Sequence, residues 1–319
     1  MHPDGLATEC GQVLEWVGSD VPPAGSRVAR KGPSNWLSDL LVLTKARVNC
    51  FVVGTAFVGF ALETQILPNW RLLLCALLGT GCFAGAAAAA NQILEQKFDQ
   101  DMVRTWNRPL AAGRIRRKTA FALVVALLGV GCLCLGSFVN FRAMSLASVT
   151  FLIYVFVYTP LKRCTPFCIL VGAVAGALPL LIGWAASGAA FGLWTGIAFG
   201  GLFLWQIPHF LAIAWRWRSD YLRAGYFVLP LNDIYGYRTA GGALAGAVAT
   251  VSVSLVPVVL RQVTGWYLFA VFAIGAVMIF ASALFLMRRT ETAARSLFIA
   301  SLLYLPCLLF LMLVCQRQA

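Results

Sequence analysis

The chain has 319 residues, of which 60% are hydrophobic and 12% are charged, and its formal net charge is +13. A mean hydropathy of +0.81 excludes a water-soluble globule built around one core. The cations are spread over several short polar segments without a nucleic-acid-binding motif, so the charge indicates no nucleic-acid partner. The composition indicates a polytopic protein embedded in a lipid bilayer.

The first 35 residues differ in composition from the rest of the chain. They carry four acidic residues together with proline and glycine, unlike an Arg-rich transit peptide or a cleavable signal sequence. We expect residues 1–35 to form a flexible cytoplasmic leader and residues 36–319 to form one membrane domain. The leader therefore favours a bacterial inner membrane over an organelle membrane as the location of the protein.

Nine apolar segments are long enough to cross about 30 Å of hydrocarbon. They lie near residues 46–65, 71–92, 119–139, 143–160, 167–187, 191–214, 239–260, 266–287 and 294–315. Their connections are short, so neighbouring helices should run antiparallel. The segments therefore predict an all-α bundle of nine transmembrane helices.

The distribution of Lys and Arg predicts how this bundle is oriented. If the amino terminus is cytoplasmic, only Arg71, Arg142, Arg261 and Arg317 of the 25 Lys and Arg residues fall on the opposite side. Because cytoplasmic loops are enriched in cations, this bias predicts a cytoplasmic amino terminus and a periplasmic carboxyl terminus.

An oxygen-bearing side chain recurs every fourth residue at the end of the second segment, at Asn91, Glu95 and Asp99. In a helix these three side chains lie on nearly one face over roughly 12 Å. Carboxylate and amide oxygens suit Mg²⁺, which completes its shell with water and substrate phosphates. Arg104 and Arg108 follow and can bind further phosphate oxygens. The pattern predicts a site for Mg²⁺ and a diphosphate.

The second, fourth and sixth segments should all end at the cytoplasmic face, and each ends in a polar cluster. The fourth ends with Tyr158 and Lys162, and the sixth ends with Arg218 and Asp220. Ionisable groups at membrane depth tend to face a bundle interior or a water-filled cavity. We therefore expect the three clusters to form one site.

Several motifs resemble those of the UbiA-type intramembrane prenyltransferases. The run from Asn91 to Leu110 follows their first aspartate-rich pattern, N-x-x-x-E-x-x-x-D-x-x-M-x-R-T and then R-P-L, and it is closest to the branch that farnesylates heme. Further similar motifs occur in the family order at residues 43–47, 158–163, 176–184, 207–210 and 220–225. The ordered set is far more specific than one motif.

The resemblance implies a nine-helix bundle with a central cavity, open sideways to lipid and covered by cytoplasmic cap loops. The implied activity is transfer of a farnesyl group from farnesyl diphosphate to a vinyl group of heme B, with addition of water, giving heme O for terminal oxidases. A heme A synthase or a terminal-oxidase assembly factor would be the partner that receives the product.

The resemblance also implies roles for individual residues. Asn91, Glu95, Asp99 and Asp220 would hold Mg²⁺, and these four with Lys162 would form the catalytic set. The substrate-binding residues would be Arg104, Arg108, Tyr158, Lys162, His209 and Arg218. The family has an acid where this chain has Ser219, and a Pro-Met pair where it has Phe227 and Val228. Asp220 is then the sole carboxylate of the second motif, which leaves open whether one or two Mg²⁺ ions bind.

Simpler structural roles are also possible for these residues. The run at Asn91 could be a solvated helix end, Lys162 a loop cation, and His209 a hydrogen-bonded packing residue. For residues 116–118 we favour a role as positive-inside anchors.

Two alternatives to heme farnesylation remain. Within the same family, the acceptor could be a quinone precursor or a chlorophyll-type ring. From a different class, a polytopic bundle with buried charges could be a secondary transporter. However, such a transporter needs a site near the midplane with broken helices, whereas these polar clusters all gather at one face.

Overall fold

The computed structural model describes residues 35–63 and 69–316, which form helices and no β-strand. The expected leader lies outside the described residues, apart from Asn35. The helices are α1 (Trp36–Leu43), α2 (Ala46–Ala61), α3 (Trp70–Asp99), α4 (Arg117–Phe138), α5 (Phe141–Leu161), α6 (Cys168–Ala186), α7 (Leu193–Arg216), α8 (Arg218–Arg223), α9 (Tyr237–Val259), α10 (Gly265–Arg288) and α11 (Glu291–Cys315).

Eight of these helices, α3 to α7 and α9 to α11, are long and apolar enough to cross a membrane. Helices α1 and α2 pass the same test together and are bent by 50° where they meet, which makes them either one broken span or a re-entrant loop. The predicted all-α membrane bundle is confirmed, and the described ranges contain eight spans, or nine if the bent pair counts as one span. The chain is a multi-pass membrane protein.

The spans pack mainly with a few neighbours each. Helix α3 lies along α4, α2 lies against α6, and α9 lies against both α7 and α10. Helix α6 also contacts α7 and thereby joins helices α1 to α6 to helices α7 to α11. The largest buried apolar cluster lies among the later spans and includes Trp205, Tyr267 and Tyr304.

Glycine allows the close contact between α2 and α6. A Cβ atom on Gly59 would overlap the carbonyl group of Leu180, and a Cβ on Gly183 would overlap the backbone of Ala56. Small residues let helix backbones approach closely. This matters in lipid, because the hydrophobic effect does not drive helices together there. This contact fixes α2, and therefore the residue just before it, relative to the bundle.

Two backbone irregularities lie near the same end of the bundle. Lys45, between α1 and α2, has left-handed backbone angles with φ of 49°. The side-chain amide of Gln92 on α3 donates hydrogen bonds to the carbonyl groups of Val42 and Leu43, at 3.0 and 2.9 Å, and so holds this break. In α5, a π-helical turn covers Ile153–Tyr158. Such turns often occur at functional sites.

We expect Gly183→Ala to lower the free energy of unfolding by about 1–3 kcal/mol, because the new methyl group would meet a backbone that has no room to shift. Thermal unfolding of the purified protein in detergent would measure this loss. Gly54→Ala is the matched control on α2, since a Cβ at that position has nothing within 4 Å. Equal unfolding midpoints for the two variants would contradict the close contact of α2 and α6.

Candidate active site

The three oxygen-bearing residues Asn91, Glu95 and Asp99, called the ladder below, lie on one helix, α3, and are all buried. Their exposed fractions are 0%, 6% and 1%. A solvated helix end would expose these side chains, so that alternative is excluded. Burial of carboxylates is costly unless they are paired, so the ladder needs partners from other parts of the chain.

Each of the three ladder residues, called rungs below, has a basic partner from a different segment of the chain. Lys162 Nζ lies 2.8 Å from Glu95 Oε1. Arg108 Nη1 donates to both carboxylate oxygens of Asp99, at 2.7 and 2.8 Å. These contacts bring together the predicted first cluster and the lysine that follows α5, and they place three carboxylate oxygens beside cations.

Lys45 supplies the third cation, which sequence reasoning missed as a site residue. Its Nζ donates to Asn91 Oδ1 at 3.0 Å and lies 3.5 Å from the hydroxyl of Tyr154. The sequence did carry an indication of this role, because Lys45 lies in the motif at residues 43–47. Without the bend between α1 and α2, a lysine at the start of a span looks like an ordinary membrane anchor.

The amide of Asn91 is oriented by its second partner. Its Nδ2 donates to Thr159 Oγ1 at 3.2 Å, and that hydroxyl in turn donates to the carbonyl of Tyr154 at 2.8 Å. Both residues lie in or next to the π-helical turn of α5. The turn therefore helps to direct Asn91 Oδ1 toward Lys45.

Lys162 is a permanent cation at this site. Burial alone would lower the pKa of Lys162, but the facing carboxylate of Glu95 holds that pKa well above the usual lysine value. The ammonium group also lies 4.5 Å from the centre of the Tyr158 ring, a cation–π contact. The geometry thus brings the predicted residues Tyr158 and Lys162 to the ladder.

Two loops cover this end of the bundle. They are residues 100–116, between α3 and α4, and residues 217–236, which include α8; we call them the first and second cap loops. The first loop is tied to α1, because Arg114 Nε donates to both oxygens of Asp39 at 3.0 and 3.2 Å.

Asp220 joins the two cap loops. Its Oδ2 accepts a hydrogen bond from the backbone N–H of Arg104 at 3.1 Å, and its Oδ1 forms an ion pair with Arg223. The Arg104 guanidinium donates to the Tyr221 hydroxyl at 3.3 Å and lies 5.7 Å from the centres of the Trp217 and Tyr221 rings. The second predicted acidic motif therefore lies against the first cap loop.

The donor set of the ladder fits Mg²⁺ bound together with a phosphate ligand. Among the described residues no three Asp, Glu, His or Cys side chains are grouped so that they could hold a metal ion alone. Mg²⁺ commonly takes only one or two carboxylates and completes its shell with water and substrate phosphates. Glu95, Asp99 and the amide oxygen of Asn91 provide that smaller set.

The remaining predicted residues have other partners. Arg218 Nη1 donates to the carbonyl of Trp215 at 3.1 Å, and its guanidinium lies 4.6 Å from the centre of that indole ring. Burial lowers the pKa of Arg218, although the Glu291 carboxylate partly offsets this. Residues 116–118 are exposed around the start of α4, as expected for membrane anchors.

His209 lies on α7 and makes no hydrogen bond or ring contact with the ladder. Its Nδ1 lies 2.9 Å from Ser301 Oγ on α11. The imidazole is stacked between Trp205 and Phe298, with ring centres 4.8 and 5.0 Å away. The hydrogen-bonded packing expected as one alternative is therefore present, and it leaves Nε2 without a partner among the described hydrogen bonds.

Comparison with known proteins identifies the family of this chain. Residues 52–311 match the UbiA prenyltransferase family. The protoheme IX farnesyltransferase of Salinibacter ruber is 39% identical over 281 residues, which cover 87% of this chain and 98% of that protein.

Two solved structures have the same fold. A structure of digeranylgeranylglyceryl phosphate synthase has a TM-score of 0.74 at 18% identity and covers 88% of this chain and 99% of its own. A UbiA homologue from Archaeoglobus fulgidus bound to GPP and Mg²⁺ has a TM-score of 0.60 at 16% identity and covers 86% and 99%. The family match and the relative from Salinibacter ruber identify a prenyltransferase and not the secondary transporter considered above. The chain belongs to the UbiA prenyltransferase family.

Proposed function

We propose that this prenyltransferase transfers a farnesyl group from farnesyl diphosphate to a vinyl group of heme B, with addition of water, and so makes heme O for terminal oxidases. The observation that carries the proposal is the ladder, whose three buried rungs each face a cation. The choice of heme as acceptor is supported by relatives named protoheme IX farnesyltransferase, which are 39%, 35% and 36% identical over most of the chain.

The ladder is our proposed site for Mg²⁺. Support comes from its oxygen donors and from the Archaeoglobus homologue, which was solved with GPP and Mg²⁺. When bound, the metal would act as a Lewis acid that neutralises the diphosphate and makes it a better leaving group. Asn91, Glu95 and Asp99 would hold it.

The basic residues around the ladder would bind the diphosphate. Lys45, Lys162 and Arg108 each carry hydrogen-bond donors within 3.0 Å of a rung. A diphosphate placed beside the ladder would accept hydrogen bonds from the same groups. As the carbon–oxygen bond breaks, negative charge collects on the leaving diphosphate, and fixed cations stabilise that charge. We also assign Arg104 and Arg218 to this role, from the cap side.

Asp220 is the predicted fourth metal ligand. Both of its oxygens accept hydrogen bonds, from Arg223 and from the Arg104 backbone, so a metal ion there would have to displace a cation. Ser219 supplies no second carboxylate. We therefore favour one Mg²⁺ at the ladder, with Asp220 as the group that holds the two cap loops together.

Aromatic side chains would protect the reacting carbon and hold the acceptor. The rings of Tyr154 and Tyr158 lie 5.3 Å apart beside Lys162 and can face a developing allylic cation. We assign His209 to heme contact, because its Nδ1 is held by Ser301 and its Nε2 is free to face a ligand. The stacked rings of Trp205 and Phe298 would fix the imidazole plane.

The cellular setting is also a proposal. The relative from Salinibacter ruber and the bias of Lys and Arg support a bacterial inner membrane, with the amino terminus and the cap loops in the cytoplasm and the carboxyl terminus in the periplasm. Residues 36–319 would be the catalytic domain, with residues 1–35 as a cytoplasmic leader. A heme A synthase or an oxidase assembly factor would receive heme O.

The first test is product formation. Membranes containing the expressed chain, supplied with heme B, farnesyl diphosphate and Mg²⁺, should form heme O, identified by chromatography and mass. EDTA should abolish the product and added Mg²⁺ should restore it, because the ladder alone does not neutralise a diphosphate. Consumption of prenyl diphosphate with another acceptor, and none with heme, would show that the acceptor is wrong.

Removing one carboxylate from the ladder should abolish transfer. We expect Glu95→Gln and Asp99→Asn each to lower the rate of heme O formation by at least about 100-fold, because each removes a metal ligand. Arg117→Ala, at an exposed anchor position, is the control and should retain activity. Wild-type rates in both acid variants would refute the metal assignment.

Lys45→Met should test the cation that the sequence did not reveal. Loss of one fixed charge beside a leaving diphosphate should lower kcat by roughly 10- to 1,000-fold. Lys118→Met removes the same charge from an exposed position at the start of α4 and should leave kcat unchanged. Equal kcat values in the two variants would mean that Lys45 only donates a hydrogen bond to Asn91 and does not act on the diphosphate.

A further inference from the structure

Tyr226, in the second cap loop, is fixed by the backbone around it. The loop turns at Gly225, which has φ of +68° in the left-handed region, where other residues are strained. The N–H of Tyr226 then donates to the Tyr221 carbonyl at 3.0 Å, and the N–H of Phe227 donates to the Lys162 carbonyl at 2.8 Å. Tyr226 is thereby held next to the segment that carries Lys162.

The Tyr226 ring is also held in place by its neighbours. Its centre lies 6.0 Å from that of Phe98 and 5.8 Å from that of Tyr221, and the Tyr221 ring is nearly perpendicular to it. Met102 and Ala224 complete this small buried cluster. Only 4% of Tyr226 is exposed. The ring cannot rotate away without opening the contact between the two cap loops.

The hydroxyl of Tyr226 is buried and forms no well-formed hydrogen bond with a described residue, although the Glu95 carboxylate lies within its reach. A buried hydroxyl without a partner lowers stability, and native proteins usually satisfy such groups. The groups that act electrostatically on it are Glu95, Lys162 and Asp99, so it lies beside two rungs of the ladder. The missing partner is therefore expected at the place where a ligand of the ladder would bind.

The same surroundings determine which partner the hydroxyl can take. Burial, and after it the negative charge of Glu95, raise the pKa of Tyr226 above that of an ordinary phenol. A phenol is protonated at neutral pH even without this shift, so the group is a hydrogen-bond donor and not a base. Glu95 Oε1 already accepts from Lys162, and Asp99 already accepts two hydrogen bonds from Arg108. Glu95 Oε2 remains as an acceptor, but if that carboxylate binds Mg²⁺ as proposed above, the hydroxyl is left as a donor for an incoming anion.

We propose that the Tyr226 hydroxyl donates a hydrogen bond to the diphosphate group of the prenyl substrate, from the cap side and beside Lys162. The proposal rests on the function proposed above. During transfer, the bond between the first prenyl carbon and its oxygen breaks, and the electron pair stays on the diphosphate. The phenol proton stays on Tyr226, and its hydrogen bond strengthens as the charge on the phosphate oxygen grows. Tyr226 would thus stabilise the leaving group more than the bound substrate.

The matched pair of variants is Tyr226→Phe and Tyr235→Phe. Both remove one hydroxyl from the second cap loop, but Tyr235 is 71% exposed. We would measure kcat and KM for farnesyl diphosphate, and the Kd of inorganic pyrophosphate with Mg²⁺ by calorimetry on the full chain in detergent. Tyr226→Phe should lower kcat roughly 10- to 100-fold with a smaller change in KM, and should raise the Kd of pyrophosphate several-fold. Tyr235→Phe should change none of these.

Unfolding midpoints separate a binding role from a structural one. The phenylalanine variant keeps the ring and should unfold at the wild-type temperature or higher, because it loses only an unpartnered hydroxyl. Tyr226→Leu also loses the ring contacts and should unfold at a lower temperature. Wild-type kcat and pyrophosphate affinity in Tyr226→Phe would overturn the proposal.

The pyrophosphate measurement also separates this inference from the proposed acceptor. If the wild-type chain binds pyrophosphate with Mg²⁺ but makes no heme O, the heme assignment fails. The role of Tyr226 would then be decided by the ratio of the two pyrophosphate dissociation constants. A several-fold higher Kd for Tyr226→Phe would support it, and equal constants would refute it.

Discussion

The structure depends on charge balance in a place where water is scarce. Two carboxylates and an amide are buried at the end of a membrane-spanning helix, and such groups are tolerated only when they are paired or satisfied by hydrogen bonds. Each rung is paired with a cation from a separate segment: the break before α2, the end of α5 and the first cap loop. These long-range contacts bring the ends of the helices together, so the arrangement that stabilises the buried charges also builds the site.

Regular helices alone would not bring these cations to the ladder. Lys45 reaches Asn91 because the chain bends by 50° between α1 and α2 and because Lys45 itself adopts a left-handed conformation. A π-helical turn just before Thr159 sets the second partner of Asn91. Strained or unusual backbone persists where the surrounding structure holds it, and it is often found at functional sites. Gln92 does that here, since its amide binds two carbonyl groups at the end of α1.

The sequence predicted the spans and the ladder because both depend on short-range periodicity. Hydropathy over about 20 residues locates a membrane helix, and a four-residue spacing places Asn91, Glu95 and Asp99 on one face. The roles proposed for Lys45 and Tyr226 could not be predicted in this way. Lys45 depends on a bend, and Tyr226 depends on a turn at Gly225 and on the packing of one cap loop against the other. His209 shows a further limit, since the sequence does not reveal which of its neighbours lies within hydrogen-bonding distance.

The contact between Asp220 and the first cap loop has a mechanical consequence. The Asp220 carboxylate of the second cap loop, itself paired with Arg223 of the same loop, accepts a hydrogen bond from the backbone of the first, and Arg104 adds a second link through Tyr221. Neither loop can lift away from the bundle without breaking the same few bonds that hold its neighbour. We therefore expect the two loops to open together as one unit, with the cost of opening shared between the parts of the chain that carry them.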